Sequence, residues 1–291
     1  MKKRLLSLLL CAVTLILLLP AVAYADMGPK PSVTVTLAGL GSEECYVTLL
    51  ADETSTGPFS VSTAPVDESS YLVSEHKQEA LAAWRAFRGY ADADGFHFLE
   101  YFSRCSETQP FRWGYYPPRT FKVLLYFPAR QSFVVTEVLR RYAFDSCYRV
   151  TVNADKSGAA VEKNEDAGAE TISLLARIAL TLAVELLIAL PFGLRRKKLL
   201  LILAANVVTQ VTLNLLLNWI NYTSGSFAFI FHYIWMELLV TLIEAVVYAR
   251  GFPRAGEPVP PKWVAPVYAV TANAASFGLG LLLARLLPGI F

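Results

Sequence analysis

What this chain lacks narrows its chemistry before anything it contains. Its 291 residues hold no catalytic or cofactor-binding motif of real specificity. His-Glu-x-x-His, Gly-x-Ser-x-Gly and the paired-glutamate pattern of membrane prenyl-protein proteases are missing from the apolar runs, which disfavours an intramembrane hydrolase. There is no basic stripe either. Residues 26–168 carry 19 acidic and 14 basic side chains, a net of −5, so nucleic acid is not an expected partner. No metal and no cofactor are expected, and an enzyme is the least favoured class. Cysteine is scarce, with four in all. Beyond the leader only Cys45, Cys105 and Cys147 remain. An oxidising compartment permits one disulfide among them and leaves one thiol over, with the pairing open. Three thiols packed as small apolar groups is the competing reading.

What is present is an uneven distribution of hydrophobicity. Apolar residues make up 55% of the chain and mean hydropathy is +0.43, above a typical soluble domain. Residues 1–25 have the three parts of a signal peptide: Lys2, Lys3 and Arg4, an apolar core over 5–19, and Ala23-Tyr24-Ala25 for cleavage. That core is shorter than the roughly 20 residues a spanning helix needs. Residues 26–153 read as an extracytoplasmic domain and 154–170, rich in Ala, Gly, Lys and Glu, as a flexible stalk. Residues 171–288 read as a transmembrane domain with spans at about 172–194, 199–220, 227–249 and 264–283.

Orientation follows from the loops. Arg195, Arg196, Lys197 and Lys198 form the strongest cytoplasmic signal, because Lys and Arg resist export. The loop over 221–226 is uncharged, and the loop over 251–263 carries Arg254 and Lys262. Both basic loops are therefore expected inside and the N-terminal domain outside, as the leader independently requires. The second basic loop, with Pro253, Pro258, Pro260 and Pro261, is expected to be extended and stiff. Trp219, Tyr222, Tyr248, Trp263 and Tyr268 suit an interfacial belt.

The spans hold more polar groups than anchoring needs. Asn206, Gln210 and Asn214 recur every fourth residue and form one stripe, while Glu237 and Glu244, seven apart, share a face. At about 1.5 Å per residue, Glu185, Gln210 and Glu237 lie near the midplane, with Asn206 and Glu244 one layer nearer the cytoplasm. Facing lipid there costs a carboxylate about 3 kcal/mol, so these groups should face one another. The favoured reading is structural, amides and protonated carboxyls bonding between helices. The sharper one makes Glu185, Asn206, Gln210, Asn214, Glu237 and Glu244 a binding site for an ion, proton or small solute. Arg177 and Arg285 lie near the outer ends, where they can snorkel. Gly278, Gly280, Ala272, Ala274 and Ala275 mark the last span as a close-packing surface.

In the exported part, 32–37 alternates as a half-buried strand, with 45–50 as its neighbour across a turn at Gly39, Gly41 and Ser42. A helix is expected over 75–90, strands over 121–127, 133–142 and 147–152, and a hairpin at 128–131. Phe96, Phe98, Tyr101 and Phe102 read as core. Phe111, Trp113, Tyr115 and Tyr116 sit in a Pro-bounded loop that could present an exposed patch. Asp92-Ala93-Asp94-Gly95 lacks the later acceptors of a calcium loop and reads as a turn.

Asp26-Met27-Gly28-Pro29-Lys30-Pro31-Ser32, Trp113-Gly114-Tyr115-Tyr116-Pro117-Pro118 and the Asn/Gln and Glu pattern of spans two and three resemble a family of uncharacterised bacterial membrane proteins. The resemblance implies a bacterial plasma-membrane location and no activity. The fold class expected is an α+β membrane protein: an exported, sandwich-like β domain with one inserted helix, plus a C-terminal four-helix transmembrane bundle. The function expected is a non-enzymatic ligand- or protein-binding exported domain anchored by that bundle. Its partners would be the lipid bilayer and a membrane or extracellular protein. The runner-up is a small transporter or transporter subunit with a polar midplane site.

Overall fold

The computed structural model describes residues 28–62, 78–164, 167–256 and 258–286, with the side chains of 78–79, 167–170, 281 and 283–286 excepted. The expected leader over 1–25 lies outside the described residues, as does the start of the expected helix at 75–77.

The N-terminal half is a β-sheet domain. One sheet has the order β11-β10-β1-β6: β11 Ala159–Lys163, β10 Asp145–Val152, β1 Ser32–Ala38 and β6 Phe111–Trp113. The other runs β5-β2-β7-β8, namely β5 His97–Arg104, β2 Tyr46–Ala51, β7 Thr120–Phe127 and β8 Ser132–Val135, with β9 Leu139–Arg140 also on β7. A small hairpin, β3 Ser55–Thr56 with β4 Phe59–Ser60, stands apart. The pair β1 and β10 is parallel and the other pairs are antiparallel.

The two sheets pack face to face over Val33, Val35, Val47, Leu49, Val123, Leu125 and Trp113. Helix α1, Gln78–Gly89, covers the other face of the second sheet. Its Ala83, Trp84 and Phe87, at helical spacing, meet Tyr46, Leu50, Phe98, Phe102 and Leu124. Three layers leave β2 and β7 buried on both sides, and both read as near-continuous apolar runs rather than alternating ones. A bulge at Glu100, in the left-handed region at φ 64°, shifts the register of β5 against β2. The alternation of faces survives the irregularity, so Leu99 and Tyr101 face the sandwich while Phe98 and Phe102 face α1. Disulfide Cys45–Cys105 joins the ends of β2 and β5.

Several local expectations change. Strands β1 and β2 are not neighbours, because the turn carrying Gly39 and Gly41 crosses from one sheet to the other. The run over 133–142 breaks into β8 and β9. There the Thr136 hydroxyl accepts from Val123 N–H at 2.9 Å, and Thr136 N–H donates back to the Val123 carbonyl at 3.0 Å. Within the expected stalk, Ala159–Lys163 is an edge strand on β10, and helix α2, Ala167–Ala189, follows almost directly. Of the four aromatics in the Pro-bounded loop, Phe111 and Trp113 are core and Tyr115 and Tyr116 reach the surface.

The C-terminal half is helical: α2, α3 Lys197–Gly251 and α4 Val264–Leu286. Among the described residues two helices are long and apolar enough to cross a membrane, Thr171–Ala189 and Lys197–Gly251. Straight, a 55-residue helix would reach about 80 Å. Helix α3 is not straight. At Gly225 (φ 81°, ψ 175°) it folds back into two antiparallel limbs, 197–224 and 226–251. Asn206–Tyr248 and Thr209–Glu244 hydrogen bonds close the hairpin. The halves of the protein meet at this bend. Phe144 N–H donates to the Tyr222 carbonyl at 2.9 Å, and a Cβ on Gly225 would lie 2.5 Å from the Phe144 ring.

Inside the β domain, Lys122 of β7 is 4% exposed and its ammonium meets the Asp92 carboxylate at 2.8 Å. Asp92 also accepts from the N–H groups of Asp94 and Phe96, so the expected turn is built on it. Burial alone would raise Asp92, but Lys122 and the two N–H groups outweigh it and hold its pKa below 3.8. A depressed carboxylate contributes stability that is present above its unfolded value and lost as pH falls through the folded one. Asp92→Asn should therefore destabilise the protein by about 1–3 kcal/mol at pH 7, because Lys122 loses its buried counter-charge and keeps only the exposed carboxylate of Asp94, at 2.5 Å. In chemical denaturation the gap between variant and wild type should close as pH falls below 3.8.

Candidate functional site

The buried polar residues of the helices gather on the inner faces, and the outside is largely apolar, with Thr212, Asn218 and Thr271 as exposed exceptions. Glu185, Asn206 and Glu244 are 0% exposed, whereas Val208 and Phe227 are 66% exposed. This is the reverse of a soluble helical domain, where carboxylates face outward. The six predicted site residues converge, but they separate into two layers with different chemistry.

The layer farther from the β domain is a closed network. Glu244, on the second limb of α3, accepts from Thr209 Oγ1 of the first limb at 2.7 Å. Its other oxygen accepts from Asn273 Nδ2 of α4, also at 2.7 Å. Asn206 Nδ2 donates to the Tyr248 hydroxyl at 3.2 Å, and the Tyr268 hydroxyl donates to the Glu185 carbonyl at 3.0 Å. Below these, Tyr248 stacks on Phe252, with Tyr268 and Leu194 packed beside them. Lys198 closes the same end, its ammonium bonding the carbonyls of Gly256 and Pro258 at 2.8 and 2.9 Å. The loop expected to be merely extended is thereby tied down, and its Phe252 is buried. The network leaves buried acceptors unmatched among the described residues: Asn206 Oδ1, Asn273 Oδ1 and both carboxylate oxygens of Glu185.

The layer nearer the β domain is open. Gln210, Asn214 and Glu237 line a cavity of about 490 Å³ with Arg177, Tyr233 and Ser276. Leu180, Leu213, Leu217, Phe229 and Phe277 supply its apolar walls, and the exposed Ile230 and Ile234 stand at its rim. Glu237 and Phe277 also line a second, more apolar groove on the far side of that wall. A mostly apolar chamber with a few convergent polar groups is the usual form of a small-molecule site.

Several members were not foreseen. Arg177 does not snorkel outward. It lines the cavity, donates to Ser173 Oγ at 2.8 Å, and its buried Nε has no partner among the described residues. Tyr248 and Tyr268, read as interfacial, are 0% exposed, while Trp219, Tyr222 and Trp263 are at the surface. Asn273 and Ser276 belong to the site although α4 reads as a packing helix. Of the small residues singled out there, Ala272 is buried, but Ala274, Ala275 and Gly278 are exposed. The four-residue stripe signalled Asn206, Gln210 and Asn214, but a lone Asn among alanines gives no periodic signal. Arg195, Arg196 and Lys197 are exposed. His232, half-buried, bonds its own helix at the Ala228 carbonyl.

Glu244 gives a sharp test of the closed layer. In Glu244→Gln the amide oxygen can accept from Asn273 while its NH₂ faces the Thr209 hydroxyl, which can accept. Its thermal unfolding in detergent should match wild type to within about 1 kcal/mol. Glu244→Leu strands both donors and should cost about 1–3 kcal/mol. Equal losses in the two variants would mean that charge, not hydrogen bonding, is what the position requires.

No protein-family model matches this chain, and no curated protein matches it significantly.

Proposed function

We propose that this chain is a non-enzymatic, four-span plasma-membrane protein that binds a small amphipathic molecule in the cavity on its β-domain side. The membrane placement is supported by the inverted polarity of the helical half, apolar outside and hydrogen-bonded inside, which is what hydrocarbon solvent demands. Folding α3 at Gly225 turns one long helix into two limbs, so α2, the two limbs and α4 each have a length suited to a bilayer core of about 30 Å. Arg195, Arg196, Lys197, Arg254 and Lys262 gather at the end away from the β domain. By the positive-inside rule that end is cytoplasmic and the β domain extracytoplasmic.

One observation carries the ligand-binding reading: the chamber is asymmetric. Its 490 Å³ lie in the half nearer the β domain, while the other half is filled by the Glu244 network and the Tyr248, Phe252 and Tyr268 rings. A continuous pore needs polar space at both ends, whereas a binding pocket needs one mouth. Arg177, Gln210, Asn214 and Glu237 gather polar groups on a wall otherwise built of Leu and Phe side chains, which suits an amphiphile with a polar head. This reading adds a site within the helices to the expectation that the exported domain binds a ligand or a protein partner and the bundle anchors it. The transporter reading keeps one argument, the unpartnered carboxylate of Glu185, the kind of group a proton relay uses.

Gly280 faces the cavity with only the Tyr233 hydroxyl, at 4.0 Å, near an added Cβ, so Gly280→Phe should fill the space without unfolding the helix. Organic extracts of the wild-type protein, purified in mild detergent, should contain an amphiphile that mass spectrometry finds depleted in Gly280→Phe. Identical extracts from equally stable proteins would contradict the binding reading. Proton flux in proteoliposomes that Glu185→Gln abolishes would replace it with the transporter.

A further inference from the structure

Where the β domain meets the bend of α3, three arginines surround a cleft of about 520 Å³. The pairing of β9 with β7 brings them together. Arg140 lies opposite Thr120, and Arg141 N–H donates to the Arg119 carbonyl at 2.9 Å. Tyr142, Ala143 and Phe144 continue the wall, and Tyr222 and Thr223 of the helical bend form its lower edge. No Asp or Glu lines the cleft, and among the described residues no carboxylate lies within ion-pair distance of Arg119, Arg140 or Arg141. Arg119 and Arg140 are exposed and Arg141 is half-buried. Burial, and then the neighbouring Arg119 charge, lower the pKa of Arg141. Elsewhere in this domain Arg130 pairs with Glu43, Arg88 with Glu100, Arg104 with Glu44 and Lys122 with Asp92, whereas exposed Arg112 and Arg149 have no ion pair among the described residues. What sets Arg119, Arg140 and Arg141 apart is that they share one cleft. Three guanidinium groups lining one cleft without a protein counter-charge, two of them (Arg119 and Arg141) close enough to repel, are the donor set of an anion site. Their planar forks suit phosphate oxygens.

The height of the cleft identifies the source of the anion. Tyr222 and Thr223 lie just beyond the apolar run of the first limb, and Trp219, 64% exposed, stands one turn below, at the level where aromatic belts meet headgroups. We propose that Arg119, Arg140 and Arg141 bind the phosphate of an anionic lipid headgroup in the leaflet that faces the β domain. The inference rests on the membrane reading above but not on the inner cavity. A bound headgroup would bridge β7 and β9 to the bend of α3 and hold the two halves in their observed relation, reinforcing the Phe144–Tyr222 hydrogen bond.

The test uses the full-length protein in a neutral detergent, with thermal unfolding as the readout. Dioctanoyl phosphatidylglycerol should raise the melting temperature saturably, and dioctanoyl phosphatidylcholine should not. In Arg119→Gln/Arg140→Gln the apparent affinity for phosphatidylglycerol should fall about tenfold or more. Arg140→Gln alone, at an exposed position, gives a smaller loss and serves if the double variant is unstable. Inorganic phosphate is the second probe. Stabilisation by phosphatidylglycerol that millimolar phosphate does not reproduce supports the lipid source. Equal stabilisation by free phosphate, lost in the same variants, keeps the anion site but overturns the lipid assignment. No stabilisation by either probe, or equal stabilisation of wild type and variants, overturns the site. Release of the wild-type chain from membranes by alkaline carbonate would instead overturn the membrane reading, and it leaves the phosphate arm to judge the cleft by itself.

Discussion

A carboxylate shut away from water is stabilised by donors on the protein, and the helical half of this molecule supplies them at Glu244, though not at Glu185. Glu244 has two acceptor oxygens, and each is met by a donor from a different segment: Thr209 on the first limb of α3 and Asn273 on α4. Tyr268 links α4 to the backbone of α2 at Glu185, and Tyr248 links the two limbs through Asn206. Every segment is thereby held by at least one bond whose loss would leave a buried polar atom unmatched. Van der Waals packing between small and branched side chains tolerates sliding. A hydrogen bond of 2.7 Å to a fixed carboxylate does not, so these few contacts set rotation and register for the whole unit.

The same rule explains what could and could not be read from the sequence. The helical character of the C-terminal half was legible because apolar runs and basic loops are long-range compositional signals. The Asn206, Gln210 and Asn214 stripe was legible because it has a period. Asn273, Tyr248 and Tyr268 were not. Each is a single polar tip in an apolar context, and whether it points to an interface or inward depends on which neighbour needs a partner. Arg177 failed for the same reason: its distance from the helix end permits snorkelling, but Ser173 and the cavity turn it inward. In the β domain the alternation of β1 was legible, since only one of its faces is core. Strands β2 and β7 lie between two layers, so their pattern fixed neither face nor partner. The strand Ala159–Lys163 was hidden by its composition. Ala, Val, Glu and Lys at an exposed edge look like linker until β10 supplies the ladder.

The junction between the halves gives the molecule its direction. Gly225 is required there twice over, for its left-handed backbone and for the space taken by the Phe144 ring. Tyr142 and Tyr222 rings stand near each other across the same seam. The β domain is thus seated on the bend rather than hanging from a loose tether, and β11 runs almost directly into α2. With the domain seated at one end and Lys198 drawing the loops together at the other, the open cavity and the closed network acquire opposite sides.

The account stands on the claim that hydrocarbon surrounds the helices with the β domain outside. Its most direct measurement is labelling of intact cells with a membrane-impermeant maleimide, in a Cys147→Ser background with single cysteines at exposed Glu53 or at exposed Lys197. Glu53→Cys should label at once, and Lys197→Cys only after the membrane is permeabilised. Labelling of Lys197→Cys in intact cells, or protection of Glu53→Cys, would contradict the arrangement.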